Sequence, residues 1–360
     1  MLFRSRTLEA LAYGRSDLRE GMKVGGLVGH HLAITKALFD HTRRGVEAPQ
    51  LDSPIVRALA DDLRRAGWEI VPHSATPSPD DRSVTESALA DFEHFGARTW
   101  IDHQPDTNCE AFGDQGFHST GRYGIADLLA GHHYQYVWAE IDAPPEPLNL
   151  LRPDLPEARH PTLWPLGRLD SSGPSELWMF RTSWAFLSAR DFYELYRPSA
   201  LDRLEDERGV HIAHTYLESY HARDSHFGRR NLLVPAARGG RPGGAGPVSL
   251  HPRFESLLAE LEMRQARGTL WVPTLADLGD QLRSVAEVTI RMDRAGQLVV
   301  HAPRPMRGLS FVVPRPELQI EVAGLPPKDL RHEAGQTLFC ADFEAGDTVV
   351  RLTGSEEDAR

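Results

Sequence analysis

The feature that most constrains this chain is a repeated alternation of short β-rich runs with amphipathic helical stretches. The runs are "ITKALF" (34–39), "WEIVPHS" (68–74), "RTWIDHQ" (98–104), "YQYVWAEI" (134–141), "LWMFRTSW" (177–184), "VHIAHTYL" (210–217) and "TLWVPTL" (269–275). Helices stand out between several of them. "PIVRALADDLRRAG" ends on Gly67, with Ser53 as expected N-cap and Pro54 at the first helical position. "SVTESALADFEHFG" ends on Gly96, with Ser83 and Glu86 as an expected capping box, and "HPRFESLLAELEMRQARG" ends on Gly268. Continuously apolar strands alternating with helices predict parallel strands covered on both faces. Seven such runs predict a distorted (β/α) barrel of about seven parallel strands over residues 1–283, with a first strand missing, and a doubly wound open sheet is the competing arrangement.

After Leu282 the alternation stops. "AEVTIRMDRAGQLVVHAP", "GLSFVVP", "LQIEVAG", "QTLFCADF" and "DTVVRLTG" are short alternating segments with Gly or Pro turns, so residues 284–360 are expected to form a small antiparallel, sandwich-like β module. Bracing the first domain is its expected role ahead of glycan binding. "RGGRPGGAGP" (238–247) lacks both a preceding strand and a following Lys-Ser/Thr, so it reads as a flexible insertion and not as a phosphate cradle.

Charge and composition exclude several classes. Forty basic against 51 acidic residues give a net charge of −11, which argues against a nucleic-acid partner. Two cysteines, Cys109 and Cys340, far apart in the chain, provide neither a disulfide framework nor a cysteine zinc site. No run of 18 apolar residues is present, so no membrane span is expected. "MLFRSRTLEALAYG" begins in mid-helical pattern with no cap, and the natural chain is therefore expected to start upstream of Met1. Compartment and oligomeric state are not assigned by these features.

Three of the β-rich runs carry a histidine at or near their ends: His73 in "EIVPHS", His103 in "TWIDHQ" and His214 in "HIAHTYL". Neighbouring strands lie about 4.8 Å apart, so imidazoles from adjacent strand ends are able to meet at one metal ion. His73 and His103 come from consecutive strands and are the pair expected to converge. Each histidine taken alone is more simply read as a hydrogen-bonded core residue. In "HIAHTYL", His211 and His214 have opposite parity if the segment is a strand. His214 then rises toward the site as the expected acid, and His211 faces a helix. Asp102 lies beside His103 and is the candidate carboxylate. Trp100, Trp138, Asn108 and Arg181, on or just beyond the same runs, are the substrate-binding candidates. Packing is the expected role for at least two of Trp100, Trp138, Trp178 and Trp184.

"GWEIVPHSATP", a helix end running into a strand that finishes in His-Ser, resembles the second motif of polysaccharide deacetylases of the NodB-homology type. "ARTWIDHQ", "YVWAEID" and "VHIAHTY" fall where that family's third, fourth and closing strands fall, and "ARGTLWVPTLADLGDQL" is similar to its final strand and helix. The resemblance covers roughly residues 30–283 and rests on order and spacing. It implies a hydrolase that removes acetyl groups from a carbohydrate. In the family a divalent metal, usually zinc, is held by an aspartate after the first strand and by two histidines of a His-Ser/Thr-x-x-His motif. A carboxylate takes a proton from the attacking water and a histidine protonates the leaving amine. His73 matches the first of those histidines. The second is absent from "HSATPSPDD", where Thr76, Pro77 and Asp80 stand instead, and geometry makes His103 the substitute ligand. The aspartate pair expected before "ITKALF" is not found there. Two further readings stay open: a catalytically incomplete barrel that binds glycans, and a metal-independent glycoside hydrolase pairing Asp102 with Asp142 or Glu140.

Overall fold

A computed structural model describes residues 2–16, 25–42, 50–103, 107–139, 142–143, 148–151, 162–166, 177–185, 189–215, 217, 232–236, 247–294, 297–333 and 335–354. The chain divides into two compact units, Met1–Asp277 and Leu278–Arg360. The described elements of the first are, in order, α1 (Leu2–Tyr13), α2 (Gly26–Gly29), β1 (Thr35–Leu38), α3 (Pro54–Arg65), β2 (Glu69–Pro72), α4 (Arg82–Glu93), β3 (Thr99–Ile101), α5 (Ala126–Gly131), β4 (Tyr136–Trp138), β5 (Asp142–Ala143), β6 (Leu163–Pro165), β7 (Trp178–Phe180), β8 (Thr182–Trp184), α6 (Ala189–Leu195), α7 (Pro198–Asp206), β9 (Ala213–His214), β10 (Leu233–Pro235), β11 (Val248–Leu250) and α8 (Pro252–Arg267). The division falls inside α9 (Leu275–Ala286).

The expected closed barrel of seven parallel strands is not formed by the described residues. The strands make small sheets instead. β1 and β2 pair in parallel, β3, β4 and β7 pair in parallel with β6 antiparallel at the edge, and β5, β8 and β9 form a third parallel set. Two local facts bear on the failure to close. "TLWVPTL" carries no ladder over 271–274, where Pro273 lacks an N–H and Trp271 is 55% exposed. Just past β1, an isolated parallel bridge joins Phe39 to Gln50, with Leu51 N–H donating to the Phe39 carbonyl. Farther along the chain, β10 and β11 form an antiparallel pair whose backbone bonds to Gly14 and Ser16, just after α1. Most of the glycine-rich stretch at 238–247 lies outside the described residues.

Local chemistry sets the helices. In α3, Val56, Ala60 and Leu63 are buried at helical spacing behind a Pro at the first position. The cap of α4 is Asp81 and not Ser83: the Ser83 hydroxyl donates to the Asp81 carboxylate (2.7 Å), leaving that carboxylate to accept from Val84 N–H. The His251 ring caps α8, accepting from Arg253 N–H, and the helix ends on Gly268 at φ 72°, a left-handed conformation that favours glycine. At the opposite end of the sheet, the Glu69 carboxylate accepts from Thr35 and Thr99 hydroxyls (2.8 and 2.7 Å) and from Ala276 N–H at the start of α9. That placement sets negative charge against a helix N-terminus.

Ionic contacts join the helices. His30, just past α2, places its two ring nitrogens 2.6 and 2.9 Å from Glu262 and Glu255 of α8. Burial lowers its pKa, but the two carboxylates outweigh burial and raise it, so both nitrogens donate. Arg264 of α8, 7% exposed, reaches Asp202 and Glu205 of α7 and its own helix's Glu260, at 2.7, 3.0 and 2.7 Å. Replacing it with Met leaves three clustered carboxylates without their cation. Because these retain some water, the expected cost is about 2–3 kcal/mol, read from urea unfolding of the intact chain.

The second unit contains two sheets. β12 (Thr289–Met292), β13 (Leu298–Ala302), β15 (Gln319–Val322) and β18 (Gly346–Thr353) form one in the order β12-β13-β18-β15. β14 (Met306–Val313), β16 (Asp329–Glu333) and β17 (Gln336–Phe343) form the other in the order β14-β17-β16. All pairings are antiparallel. Val300, Ile320, Phe339, Phe343 and Val350 fill the core between them. Residues 278–360 contain no Trp or Tyr, and their Phe side chains pack on one another, Phe311 against Phe339 at 4.9 Å. Glycan stacking on this unit therefore lacks its usual aromatic platform.

Candidate functional site

The parallel strands bring their C-terminal ends together through a backbone stitch. His73 N–H donates to the Leu38 carbonyl, Ser74 N–H to the Ile101 carbonyl, and Asp102 N–H to the Trp138 carbonyl. Ser74 has φ 51°, unusual for a residue with a side chain, and is fully buried. In this turn its hydroxyl accepts from His103 N–H at 3.0 Å, so the end of β2 is fastened directly to the residue that follows β3. The strained conformation thus carries the register between His73 and His103.

Three aromatic rings meet at this stitch. His73 and His103 contact edge to face with centroids 4.9 Å apart, while Phe39 stacks on His73 at 5.0 Å and meets His103 edge-on at 5.1 Å. Burial and the neighbouring His103 push the His73 imidazole down to about 3, and burial lowers His103 as well, so both rings are neutral at physiological pH. Neutral imidazole is the form that binds metals. His73 Nδ1 faces the Ile101 carbonyl at 3.5 Å, and His103 Nδ1 is buried with no hydrogen-bond partner among the described residues.

His214 stands at the end of β9 in register with Trp184, and its ring meets Trp138 at 4.5 Å. It is near enough to His73 to add to the lowering of that imidazole's pKa. His211 points elsewhere: its Nδ1 lies 3.0 Å from the Leu148 carbonyl and its Nε2 2.8 Å from the Tyr196 hydroxyl. The carbonyl only accepts, so Nδ1 carries the proton and Nε2 accepts from tyrosine. Burial holds that ring down to about 4.

The remaining expected site residues lie deeper. Asp102 is fully buried and accepts from Trp100 Nε1–H and Phe112 N–H, both at 2.7 Å. Burial pushes its carboxyl up to about 8, with the Glu110 charge adding to the rise. Trp100 is fully buried with its N–H on Asp102, so its ring presents no face to a ligand. Trp138 is 3% exposed, donates to the Thr182 hydroxyl and supports His214. Arg181 is buried with Nη2 on the Leu150 carbonyl at 2.6 Å. Asn108 is buried, and neither side-chain atom has a partner among the described residues. Glu140 lies outside the described residues, and Asp142 is described only as part of β5.

Two residues not singled out from the sequence belong to this region. Asp40 follows Phe39 past the end of β1, is 8% exposed and bonds the His41 ring at 2.9 Å. Its position after a first strand was legible in "ALFD". Glu110 is fully buried, accepts from Asp80 N–H through Oε2 (3.1 Å), and leaves Oε1 without a partner among the described residues. The loop closes tightly over it, since a side chain at Gly116 would meet the Glu110 carbonyl at 2.0 Å.

Burial pushes the Glu110 carboxyl up to about 7, with the Asp80 charge adding to the rise. Below about pH 4 the carboxyl is protonated in both folded and unfolded chains and contributes no pH dependence. Between about pH 4 and 7 only the unfolded chain releases the proton, so stability falls as pH rises, by up to roughly 3 kcal/mol. Glu110→Gln keeps the acceptor for Asp80 and cannot ionise. Melting curves from pH 4 to 8 are therefore expected to show a shallower decline for Glu110→Gln than for wild type, and parallel curves would contradict the assignment.

Among the described residues no group of three or more His, Cys, Asp or Glu is assembled to hold a metal. What the site offers a metal is two adjacent neutral imidazoles, the His103 ring with a buried nitrogen that has no hydrogen-bond partner among the described residues. Among the same residues no helix is long and apolar enough to cross a membrane. The chain matches no protein family, no curated protein and no solved structure.

Proposed function

We propose that the protein is a metal-dependent hydrolase that removes acetyl groups from a carbohydrate. The observation that carries this reading is the meeting of His73 and His103, neutral and edge to face, where β1, β2 and β3 are stitched together. The acetylated sugar comes from the resemblance of the strand-terminal motifs to polysaccharide deacetylases. In this proposal His73 and His103 would hold a divalent metal, zinc by that resemblance. Such a metal polarises a carbonyl oxygen and lowers the pKa of water.

The chain's own residues supply the rest. His214 would take a proton from the attacking water and give it to the departing amine or alcohol, with Trp138 against its ring. Asp102 lies beneath His103, and its hydrogen bonds to Trp100 and Phe112 brace that strand end from below. It is a positioning residue, because its full burial keeps it from touching substrate. The same burial of Asp102 weighs against a metal-independent pair of carboxylates. Acetate release from an N-acetylated or O-acetylated oligosaccharide tests the reading: turnover that requires zinc and stops on chelation is expected, and the absence of release from both substrate types overturns it.

A further inference from the structure

We propose that Phe39 is a positioning residue for the two imidazoles, the third side of a packed triangle that fixes which ring nitrogens face the site. The inference rests on the metal-hydrolase reading given above and adds a residue to it. Phe39 is 7% exposed and makes two different contacts, a near-parallel stack on His73 (24° between planes) and an edge contact with His103 (84°). The two imidazoles are themselves perpendicular, at 90°. Each ring of the triangle therefore limits rotation of the other two about their side-chain bonds.

Without such a constraint an imidazole flips, exchanging its two nitrogens. His73 has a weak reason of its own to keep one orientation, a 3.5 Å contact in which Nδ1–H donates to the Ile101 carbonyl, which only accepts. This leaves Nε2 as the lone-pair nitrogen. His103 has no partner at Nδ1 among the described residues. For both rings, packing against Phe39 supplies orientation that hydrogen bonds provide at most weakly. Phe39 follows β1 directly, and its carbonyl is held by Leu51 N–H, so the triangle is anchored to the parallel strands and to the segment at Gln50 and Leu51. A leucine in its place fills part of the volume but offers no flat face to His73.

The test compares Phe39→Leu and Phe39→Tyr with wild type, using the full chain. Zinc alone is titrated calorimetrically, and Tm is recorded for each variant. The leucine variant is expected to bind zinc about 10-fold or more weakly, the size of effect seen when groups that orient metal-ligating histidines are removed. The tyrosine variant, which keeps the ring, is expected to stay within about 3-fold of wild type. A leucine variant with a lowered Tm and unchanged affinity overturns the proposal, because it makes Phe39 a core residue only.

A second readout needs no metal. In the metal-free wild type, nuclear Overhauser contacts between His73 and His103 ring protons are expected, and in Phe39→Leu they are expected to weaken or disappear. If wild type binds no zinc, the hydrolase reading fails while these contacts still decide the role of Phe39. Contacts that survive unchanged in Phe39→Leu overturn it.

Discussion

Replacing His214 with alanine is expected to lower acetate release by about 10²- to 10⁴-fold while leaving Tm within about 2 °C of wild type. The ring lies at the end of the two-residue strand β9, half-buried, with Trp138 against its edge. Truncation there removes a proton donor without emptying a deep cavity. His211→Ala is expected to do the reverse. Its ring connects the Leu148 carbonyl to the Tyr196 hydroxyl, and its loss removes both hydrogen bonds from a largely buried place, costing on the order of 1–3 kcal/mol with turnover little changed. Both variants are compared by oligosaccharide turnover and thermal melting. If His214→Ala turns over normally, the acid lies elsewhere.

The second large effect concerns the metal. His73→Ala is expected to weaken zinc binding by at least about 100-fold, more than the loss of a merely orienting group. His103→Ala is expected to follow it. Both losses are needed, since a single remaining imidazole holds zinc no better than many surface histidines. His30→Ala makes the control. His30 already donates from both nitrogens to Glu255 and Glu262 and has no lone pair for a metal, so its replacement is expected to lower stability and leave zinc binding unchanged. Elemental analysis after dialysis distinguishes the three variants.

The sequence made the strand ends legible and left the closure of the sheet obscure, for physical reasons. His73, His103 and His214 each end or follow a run of β-formers, and strand periodicity alone separates His211 from His214. The meeting of the first two follows from adjacent parallel strands. Closure is a non-local property. "TLWVPTL" has the composition of a strand, yet with an exposed Trp271 and with Pro273 it has no partner strand among the described residues, and the chain just past β1 bridges to Gln50 instead. Antiparallel β6 and the β10–β11 pair arise from stretches with no clear periodicity. Trp100 and Arg181 have residue types suited to ligands, but the backbone turns both inward, a difference that residue type does not encode. Glu110 was hidden for the opposite reason: it lies in a loop, where an acidic residue is ordinarily exposed, and this loop turns back on its own backbone at Gly116. Phe39 was read as one apolar member of "ITKALF", because its contacts come from residues 34 and 64 positions farther along the chain.

The central claim is that His73 and His103 form one metal-binding pair, and calorimetric titration of zinc into chelator-stripped protein tests it most directly. The account predicts one equivalent bound by the wild-type chain, with binding lost in both His73→Ala and His103→Ala at unchanged fold. Binding of the same stoichiometry and affinity in either alanine variant, or no binding by the wild type, would contradict it.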